Sequence, residues 1–256
     1  MEIPLILGNK TDDGIIDPKD KVELRLRLKN MRLVLPDNVI LSFYKDLEEV
    51  IKTRFNTTEF SYTSELKLFL FEYKGKKFAY LFPTMGSYAS VVLEEMIALG
   101  GKRFIFIGSV GTTAEIKRGV ILLPSKAIRD EGVSYAYLPP EYFSFPDQKL
   151  FQRLKSKVID SGREYKEGTC WTVSTPFRET RQKLSLFIDQ GTICVDMEAA
   201  SLFAVAEYRN IPIAGVFLSG DSISNNKWGS LLTKDDLVKI KQDKEMMLNL
   251  ALDSML

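Results

Sequence analysis

The sequence predicts an α/β protein, because short apolar runs typical of strands alternate with longer segments of helical spacing. The alternation is clearest in the last third of the chain. There, Thr192–Val195 is a β-branched run, Met197–Tyr208 has helical character, and Ile213–Leu218 is a second apolar run. With 256 residues and 45% apolar composition, the chain can bury one large core, so we expect a single domain over residues 1–256.

The charge balance is close to neutral, with 35 basic and 34 acidic residues and a net charge of +1. This balance predicts no basic surface for nucleic acid. No apolar run approaches the length that crosses a membrane, and the amino terminus lacks the charged-then-apolar order of a signal peptide. We therefore expect a cytoplasmic protein with no membrane partner.

Two residue types limit the chemistry. The chain has no histidine, which excludes Ser-His-Asp and Cys-His catalysis. Its two cysteines, Cys170 and Cys194, form no CxxC pair, so they fit a reducing compartment and predict no zinc site. We expect neither a metal nor an organic cofactor.

The first third of the chain predicts a strand, a helix and a hairpin. Apolar residues alternate in 21–32, which predicts a half-buried strand with a solvated basic face. Residues 37–55 have helical spacing of apolar positions. Leu66–Tyr73 and Phe78–Phe82 are strand-like runs, and the connecting sequence Lys74-Gly75-Lys76 predicts a hairpin.

The middle of the chain contains a glycine-rich strand exit. Tyr88–Leu99 predicts a helix, and Phe104–Ile107 predicts a buried strand that stops at the Gly-Ser-Val-Gly sequence of residues 108–111. Glycines on both sides of Ser109 let the backbone approach a ligand, and consecutive amides with one hydroxyl suit an anion or a ribose. Turns also need glycine, so the pattern alone is a weak indicator.

The remaining predicted elements continue the alternation. They are a strand at 120–128, a loop at 134–146, a helix at 147–161, a strand at 167–175, a polar loop at 222–230 and a final helix that Thr233–Asp236 caps and that ends at Leu256. The loop at 134–146 is rich in aromatic residues, which would line a pocket or cover a subunit interface.

Two acids stand at the ends of predicted elements. Glu198 falls where a strand turns into a helix, and Asp221 falls just past the next strand. Ligand crevices in open α/β sheets form outside the carboxyl ends of strands, so the two acids could share a pocket if the strands pair in parallel. Each position also has an ordinary explanation, since acids favour helix amino termini and turns.

The sequence motifs around these acids resemble those of a known family. VDMEAASLF at 195–203, LSGD at 218–221, PTMGSYAS at 83–90 and IGSVG at 107–111 are similar to motifs of the nucleoside phosphorylases and nucleosidases. That family includes purine nucleoside, methylthioadenosine and uridine phosphorylases. Gly220 departs from the pattern, because the family usually has serine there. The resemblance implies a three-layer α/β/α sandwich around a mixed central sheet.

The resemblance also implies a site. In it, Glu198 accepts hydrogen bonds from ribose hydroxyls, Met197 packs under the sugar and Phe177 stacks on the base. Asp221 donates a proton or a hydrogen bond to purine N7, which favours purines over pyrimidines. Phe177 could equally be an ordinary core residue. Ser109 and Gly111 would contact phosphate and ribose.

Phosphate would be the co-substrate, held in part by Gly8 and Ser109. The arginines with which the family grips phosphate have no counterpart at the corresponding positions, which are the turn after Gly8, Ser64 or Glu65, and Phe106. Without bidentate guanidinium donors a phosphate site loses much of its charge-assisted hydrogen bonding. Other arginines could substitute from elsewhere, namely Arg103, Arg118 and Arg129.

Several functions therefore stay open. The first is phosphorolysis of a purine nucleoside. The second is hydrolysis, for which Glu2 or Glu65 would have to activate water. The third is a nucleoside-binding paralogue that has lost the reaction. Uridine phosphorolysis has less support, because Arg181-Gln182-Lys183 does not match the order of the residues that read uracil in the family. The resemblance also implies a homo-oligomer, either a dimer or a hexamer.

Overall fold

The computed structural model describes residues 14–224, 227–230 and 237–256. The helices in these ranges are α1 Pro18–Leu28, α2 Leu47–Arg54, α3 Tyr88–Ala98, α4 Ser134–Tyr137, α5 Gln148–Asp160, α6 Arg181–Ile188, α7 Ala199–Tyr208 and α8 Leu237–Ser254, with a 3₁₀ turn at Pro176–Arg178. The strands are β1 Asn38–Ser42, β2 Thr58–Ser61, β3 Lys67–Tyr73, β4 Lys76–Leu81, β5 Arg103–Thr112, β6 Ile121–Asp130, β7 Phe143–Ser144, β8 Tyr165–Val173, β9 Thr192–Asp196, β10 Ile213–Ser222 and β11 Gly229–Ser230.

The strands form one mixed sheet in which five of them close a ring. Strand β10 pairs with β5 in parallel and with β6 antiparallel. Strand β8 pairs in parallel with both β6 and β9, and β9 returns antiparallel to β5. Strands β1, β4, β3 and β2 extend the sheet outward from β5. The ring brings the last residues of β5, β9 and β10 together, and this is where the site lies.

Helices cover both faces of the sheet, which confirms the predicted three-layer α/β/α sandwich. One buried cluster joins α1, α3 and α7 to the sheet, and the other joins α2, α5 and α8 to the opposite face. Helix α5 illustrates the burial, since its apolar face of Leu150, Leu154 and Val158 is fully enclosed. Among the described residues, the helices lack the length and apolarity needed to cross a membrane.

The strand predicted at residues 21–32 is wrong, because residues 21–28 belong to helix α1 and residues 29–32 form a turn and irregular structure. Asp17 caps the helix by accepting a hydrogen bond of 2.8 Å from the backbone N–H of Lys19, and Pro18 occupies its first turn. The alternating leucines misled the prediction. Leu24 and Leu28 remain 46% and 76% exposed, so the alternation does not mark a buried face.

The helix predicted over residues 37–55 is also wrong in its first half. Residues 38–42 form β1, whose side chains are all buried and which pairs in parallel with β4 and with β5. Only the second half, α2, is helical. A short continuous apolar run has no periodicity that separates a buried strand from a helix, and here burial between two strands decides the outcome.

Most other predicted elements are confirmed within a few residues, but the strand predicted to stop at residues 108–111 continues as β5 through Thr112, because these residues pair with β10 and β9. The hairpin between β3 and β4 turns at Lys74 and Gly75, both with positive φ of 48° and 76°, as a tight hairpin of this length requires. The segment predicted as a loop at 134–146 contains the short helix α4 and strand β7. The helix cap predicted at 233–236 lies outside the described residues.

The pairing inferred for residues 192–221 needs correction. Strands β9 and β10 are not neighbours, and because β9 is antiparallel to β5 while β10 is parallel to it, the two strands run in opposite directions. Strand β10 also extends through Ser222, so Asp221 lies within it rather than beyond it. Glu198 and Asp221 still line the same cavity. They do so because β5 pairs with both β9 and β10, and not because β9 and β10 form a parallel βαβ unit.

Candidate functional site

Two adjoining cavities open where β5, β9 and β10 converge. The first, here called the Phe177 cavity, has a volume of about 740 Å³ and includes Phe177, Met197 and Asp221 in its lining. The second, the Tyr44 cavity, has a volume of about 1040 Å³ and includes Tyr44 and Arg118. Both are lined in addition by Met85, Ser109, Glu198, Asp221 and Trp228. A ligand could therefore span the two cavities across these shared residues.

Glu198 occupies the position just before helix α7 and is almost completely buried. The backbone N–H of Gly86 donates a hydrogen bond of 2.5 Å to its Oε1 atom. Gly86 has φ +75°, a backbone conformation that favours glycine. Burial and the nearby carboxylate of Asp196 raise the pKa of Glu198 to about 8. The carboxyl group is thus neutral over most of the physiological range when no ligand is bound.

Asp196 is a functional residue that the sequence reasoning missed. Its Oδ2 atom accepts hydrogen bonds from the backbone N–H groups of Glu198 and Ala199, at 3.2 and 2.6 Å, and its Oδ1 atom accepts one of 2.6 Å from the Thr172 hydroxyl. It thereby caps helix α7 and fixes the backbone of Glu198. Burial raises the pKa of Asp196 above its usual value, while its three donors oppose that rise. An aspartate two residues before the glutamate, at the end of a strand, was the available signal.

Asp221 is held by contacts from two strands and a loop. The indole Nε1–H of Trp228 donates a hydrogen bond of 2.8 Å to its Oδ2 atom. Oδ1 lies so near Gly111 that a Cβ atom on that glycine would stand 3.2 Å from it. A bulge between Ser219 and Asp221 shifts the register of β10 against β5. The structure brings Asp221, Glu198 and Gly111 together in the lining of the Phe177 cavity.

Phe177 is not an ordinary core residue. It lies in the 3₁₀ turn at the mouth of its cavity and is 92% exposed. A ring this exposed beside a cavity is available to cover a flat ligand. Met197 lines the same cavity, and its Cε atom lies 3.6 Å from where a Cβ of Gly86 would be. Phe177 and Met197 therefore line one cavity.

Ser109 lies between the two cavities, near the end of β5. Its hydroxyl lies 3.0 Å from the hydroxyl of Tyr44, which is buried after strand β1. Burial raises the pKa of Tyr44, so its hydroxyl stays protonated at neutral pH. Tyr44 belongs to the turn at residues 43–46, between β1 and α2, and this turn brings its hydroxyl to Ser109. The sequence had predicted a helix for this segment. Gly8 lies outside the described residues.

Of the cations that could replace the family's phosphate-binding arginines, some line the site and others lie away from it. Arg103 donates to Asn38 Oδ1 and to the carbonyl of Met255 at the opposite end of β5, roughly 20 Å from Ser109 along the strand. Arg129 is buried and donates to Ser134 and to two carbonyls. Neither lines a cavity of the site. The cations that do line the Tyr44 cavity are Arg118, Lys241 and Lys244.

Phe106 shows why one family arginine has no place here. Its ring is fully buried and packs against Phe203 and Phe217, with ring centroids 5.5 Å apart in both cases. Gly215 leaves room for it, since a Cβ there would lie 2.2 Å from the ring. Glu65 is exposed and lines neither cavity, while Glu2 lies outside the described residues. Glu65 is therefore not placed at the site.

Glu179 is a second residue that the sequence reasoning missed. It follows the 3₁₀ turn, is half-buried and lines the Phe177 cavity. Burial, together with the negative charge of Asp221, raises the pKa of Glu179 to about 7. Its side chain makes no hydrogen bond or ion pair within the part of the chain that the structure describes. The sequence offered no signal for it beyond its position two residues after Phe177.

An exposed ring, a buried carboxyl group and a second acid line one cavity of the three-layer sandwich. Comparison with known proteins identifies the family. Residues 39–252 match the family model of the phosphorylase superfamily, and the chain belongs to this superfamily of nucleoside phosphorylases and nucleosidases.

Individual relatives are distant. Guanosine phosphorylase from Halorubrum lacusprofundi is 23% identical over 168 residues, which cover 65% of this chain and 70% of that protein. Uridine phosphorylase from Treponema pallidum is 28% identical over 145 residues, which cover 52% of this chain and 56% of that protein. A solved structure of AMP nucleosidase from Bacteroides thetaiotaomicron superposes with a TM-score of 0.74 at 23% identity, covering 93% of this chain and 96% of the other. That likeness supports the fold.

Proposed function

We propose that the protein cleaves the N-glycosidic bond of a purine nucleoside, with phosphate as the acceptor, to release the free base and ribose 1-phosphate. The observation that carries the proposal is the Phe177 cavity, where Phe177, Glu198 and Asp221 surround one open volume of about 740 Å³. A volume of this size suits a small ligand. No organic cofactor or metal enters the proposed reaction.

Glu198 and Met197 would hold the sugar. The Gly86 N–H occupies Oε1 of Glu198, and the ribose hydroxyls would donate to the remaining carboxylate lone pairs. Accepting such bonds favours the ionised carboxylate, so nucleoside binding would lower the pKa of Glu198 from about 8. Met197 would pack against the apolar face of the ring. The negative charge of Glu198 would then stabilise the oxocarbenium character that develops on the ribose.

Phe177 and Asp221 would act on the base. The exposed ring of Phe177 would stack on the flat heterocycle. In its protonated form, Asp221 would donate a proton or a hydrogen bond to N7 as negative charge develops on the leaving purine. Trp228 holds one carboxyl oxygen of Asp221, which leaves the other for the base. A pyrimidine has no equivalent of N7, so this arrangement favours purines.

The Tyr44 cavity would hold phosphate beside Ser109. The Ser109 hydroxyl, which lines both cavities, would donate to a phosphate oxygen. Arg118 and Lys241 line the same cavity and would supply positive charge in place of the family arginines. Gly8, outside the described residues, remains a proposed phosphate contact on the strength of the resemblance alone.

Hydrolysis is the second candidate, and one observation favours it. Asp46 and Glu49 line the Tyr44 cavity, and their negative charges would oppose a phosphate dianion while leaving a carboxylate available to activate water. Lys244 offsets part of this charge through an ion pair of 2.7 Å with Asp46. The third possibility, a paralogue that binds nucleosides without cleaving them, would follow if neither acceptor can be used.

The experiment is release of free base from inosine, adenosine, guanosine, methylthioadenosine and uridine, each with and without phosphate. Phosphate-dependent release from a purine nucleoside, with ribose 1-phosphate as product, is the expected result. Release that is indifferent to phosphate would replace the proposal with hydrolysis. Nucleoside binding without release from any substrate would identify the impaired paralogue.

The assembly and location remain proposals drawn from the resemblance. We propose a homo-oligomer, either a dimer or a hexamer, that works in the cytoplasm. Light scattering after size-exclusion chromatography would test the subunit number, and a monomer at micromolar concentration would contradict the proposal.

A further inference from the structure

The proposed reaction assigns no role to the carboxyl group of Glu179, although this group lines the cavity. It lies in the lining of the Phe177 cavity, two residues from the exposed ring and near Asp221. Within the described residues it has no hydrogen-bond or ion-pair partner. A half-buried carboxyl group without a partner costs free energy, which a ligand that supplies donors would recover.

Arg181, two residues further along the chain, has the opposite hydrogen-bonding character. It begins helix α6, lines the same cavity and, among the described residues, has no ion pair or hydrogen bond through its side chain. A guanidinium group only donates hydrogen bonds and an ionised carboxylate only accepts them. The base end of the cavity therefore presents one donor group and one acceptor group that are both available.

We infer that Glu179 and Arg181 select a guanine base, with the Glu179 carboxylate accepting from the two adjacent N–H donors at ring positions 1 and 2 and Arg181 donating to the 6-oxo oxygen. This inference rests on the proposed function, since it assigns the base within the same cavity. Asp221 would remain at N7, on the other edge of the ring. Guanine is the common base whose edge pairs two adjacent donors with an acceptor.

Other bases match this pair less well. Adenine offers an acceptor at ring position 1, which an ionised carboxylate would repel. Uracil presents a single N–H between two carbonyl oxygens, so a carboxylate would meet unfavourable oxygens on each side. Hypoxanthine keeps the N–H at position 1 and lacks the second donor. Guanine should therefore bind best and hypoxanthine next.

The charge of Glu179 makes the selection depend on pH. The charged and titratable groups that line this cavity with it are Arg181, Asp196, Glu198, Asp221 and Lys227. The raised pKa of about 7 means that Glu179 is largely neutral at pH 6 and largely ionised at pH 8. Because only the ionised form accepts from both guanine donors, the preference for guanosine over adenosine should increase from pH 6 to pH 8.

Calorimetric binding of guanosine, inosine, adenosine and uridine to the full chain tests the inference without requiring turnover. For the wild type at pH 8, guanosine should bind most tightly. Glu179→Gln should lower the affinity for guanosine by about 10- to 100-fold while changing adenosine binding little. Glu65→Gln is the matched control, because Glu65 is exposed and lines neither cavity, and it should change nothing.

The outcomes separate the two proposals. An equal loss for all nucleosides in Glu179→Gln, or no loss for any, would overturn the guanine assignment while leaving the proposed function intact. A guanosine preference that stays flat from pH 6 to pH 8 would overturn it as well. If the wild type binds none of the nucleosides, the proposed function fails and the inference falls with it.

Discussion

The indole Nε1–H of Trp228 donates a hydrogen bond of 2.8 Å to Oδ2 of Asp221. The bond is reinforced by the backbone, because Ser230 pairs with Asp221 where β11 returns along β10. The loop after β10 is thus tied back onto the carboxyl group that would face the base. Trp228 is itself 72% exposed, so its indole covers the site while fixing one oxygen of the acid.

Trp228→Phe should lower kcat/KM for a purine nucleoside by about tenfold, because it removes one hydrogen bond to a carboxylate and keeps the aromatic cover. Steady-state kinetics would measure the change. Trp171→Phe is the matched control, since Trp171 donates a hydrogen bond of 3.0 Å to Asp130 and lines neither cavity. It should lower stability and leave turnover per folded molecule unchanged. Equal kinetic losses in both variants would argue against a positioning role for Trp228.

Gly111→Ala should impair Asp221 through a steric route. A Cβ at this position would lie 3.0 Å from Val195 Cγ1 and 3.2 Å from Asp221 Oδ1, so the carboxyl group or the strand has to move. A displacement of this kind should cost about 100-fold in kcat and about 1–3 kcal/mol of stability. Gly229→Ala, where a Cβ would meet nothing within 4 Å, should behave like the wild type. Full activity in Gly111→Ala would show that Asp221 does not depend on this close approach.

The stability of the free protein should fall as the pH rises from about 4.5 to about 8. Burial raises the pKa of Glu198 from its usual 4.5 to about 8, so the folded state binds a proton that the unfolded state has released in this range. The contribution of the neutral carboxyl group is therefore complete below the unfolded pKa and is lost as the pH rises through the folded pKa. Glu179, with a pKa of about 7, acts in the same direction.

Urea unfolding of the wild type and Glu198→Gln at pH 5, 6.5 and 8 would measure this effect. The glutamine side chain resembles the neutral acid and cannot ionise. The wild type should thus lose stability relative to the variant as the pH rises, and the two should be most alike at pH 5. A difference between them that does not vary with pH would contradict the raised pKa of Glu198.

Phe106→Arg introduces an arginine at a position where the family has one, yet we expect that it does not restore phosphate binding. The Phe106 ring is enclosed by Phe203 and Phe217, and a guanidinium group there would be a buried charge with an apolar lining. We expect a loss of about 3–5 kcal/mol in unfolding free energy and no lower KM for phosphate. Phe106→Leu, which keeps the site apolar, should lose less. A stable Phe106→Arg protein with tighter phosphate binding would contradict the packing account.

The elements that the sequence predicted correctly are those with long periodic patterns or strong turns. Helix α5 and the β3–β4 hairpin are examples. Strand β1 was misassigned because five buried residues carry no period, and α1 was misassigned because its alternating leucines are largely exposed. Since the turn after β1 approaches Ser109, the error also hid Tyr44 from the predicted site.

The candidate site residues that carry motif patterns were named from the sequence, whereas the residues that support them were missed. Glu198, Asp221, Phe177 and Ser109 carry such patterns, and all four line the Phe177 cavity. Asp196 contributes through hydrogen bonds to the backbone, and its sequence signal, a position two residues before Glu198 at the end of a strand, was overlooked. Glu179 reaches the cavity only because the 3₁₀ turn at Pro176–Arg178 directs the chain past Phe177. Such placements depend on the tertiary fold and not on local pattern.

The most direct measurement compares base release from a purine nucleoside by the wild type and by Asp221→Asn, with Asp189→Asn as the control. Asp189 is an exposed aspartate at the end of α6 and lines neither cavity. The account predicts release by the wild type and by Asp189→Asn at equal rates, and a loss of at least about 100-fold in kcat for Asp221→Asn. Undiminished release by Asp221→Asn, or no release by the wild type from any purine nucleoside, would contradict the role assigned to Asp221 and with it the proposed reaction.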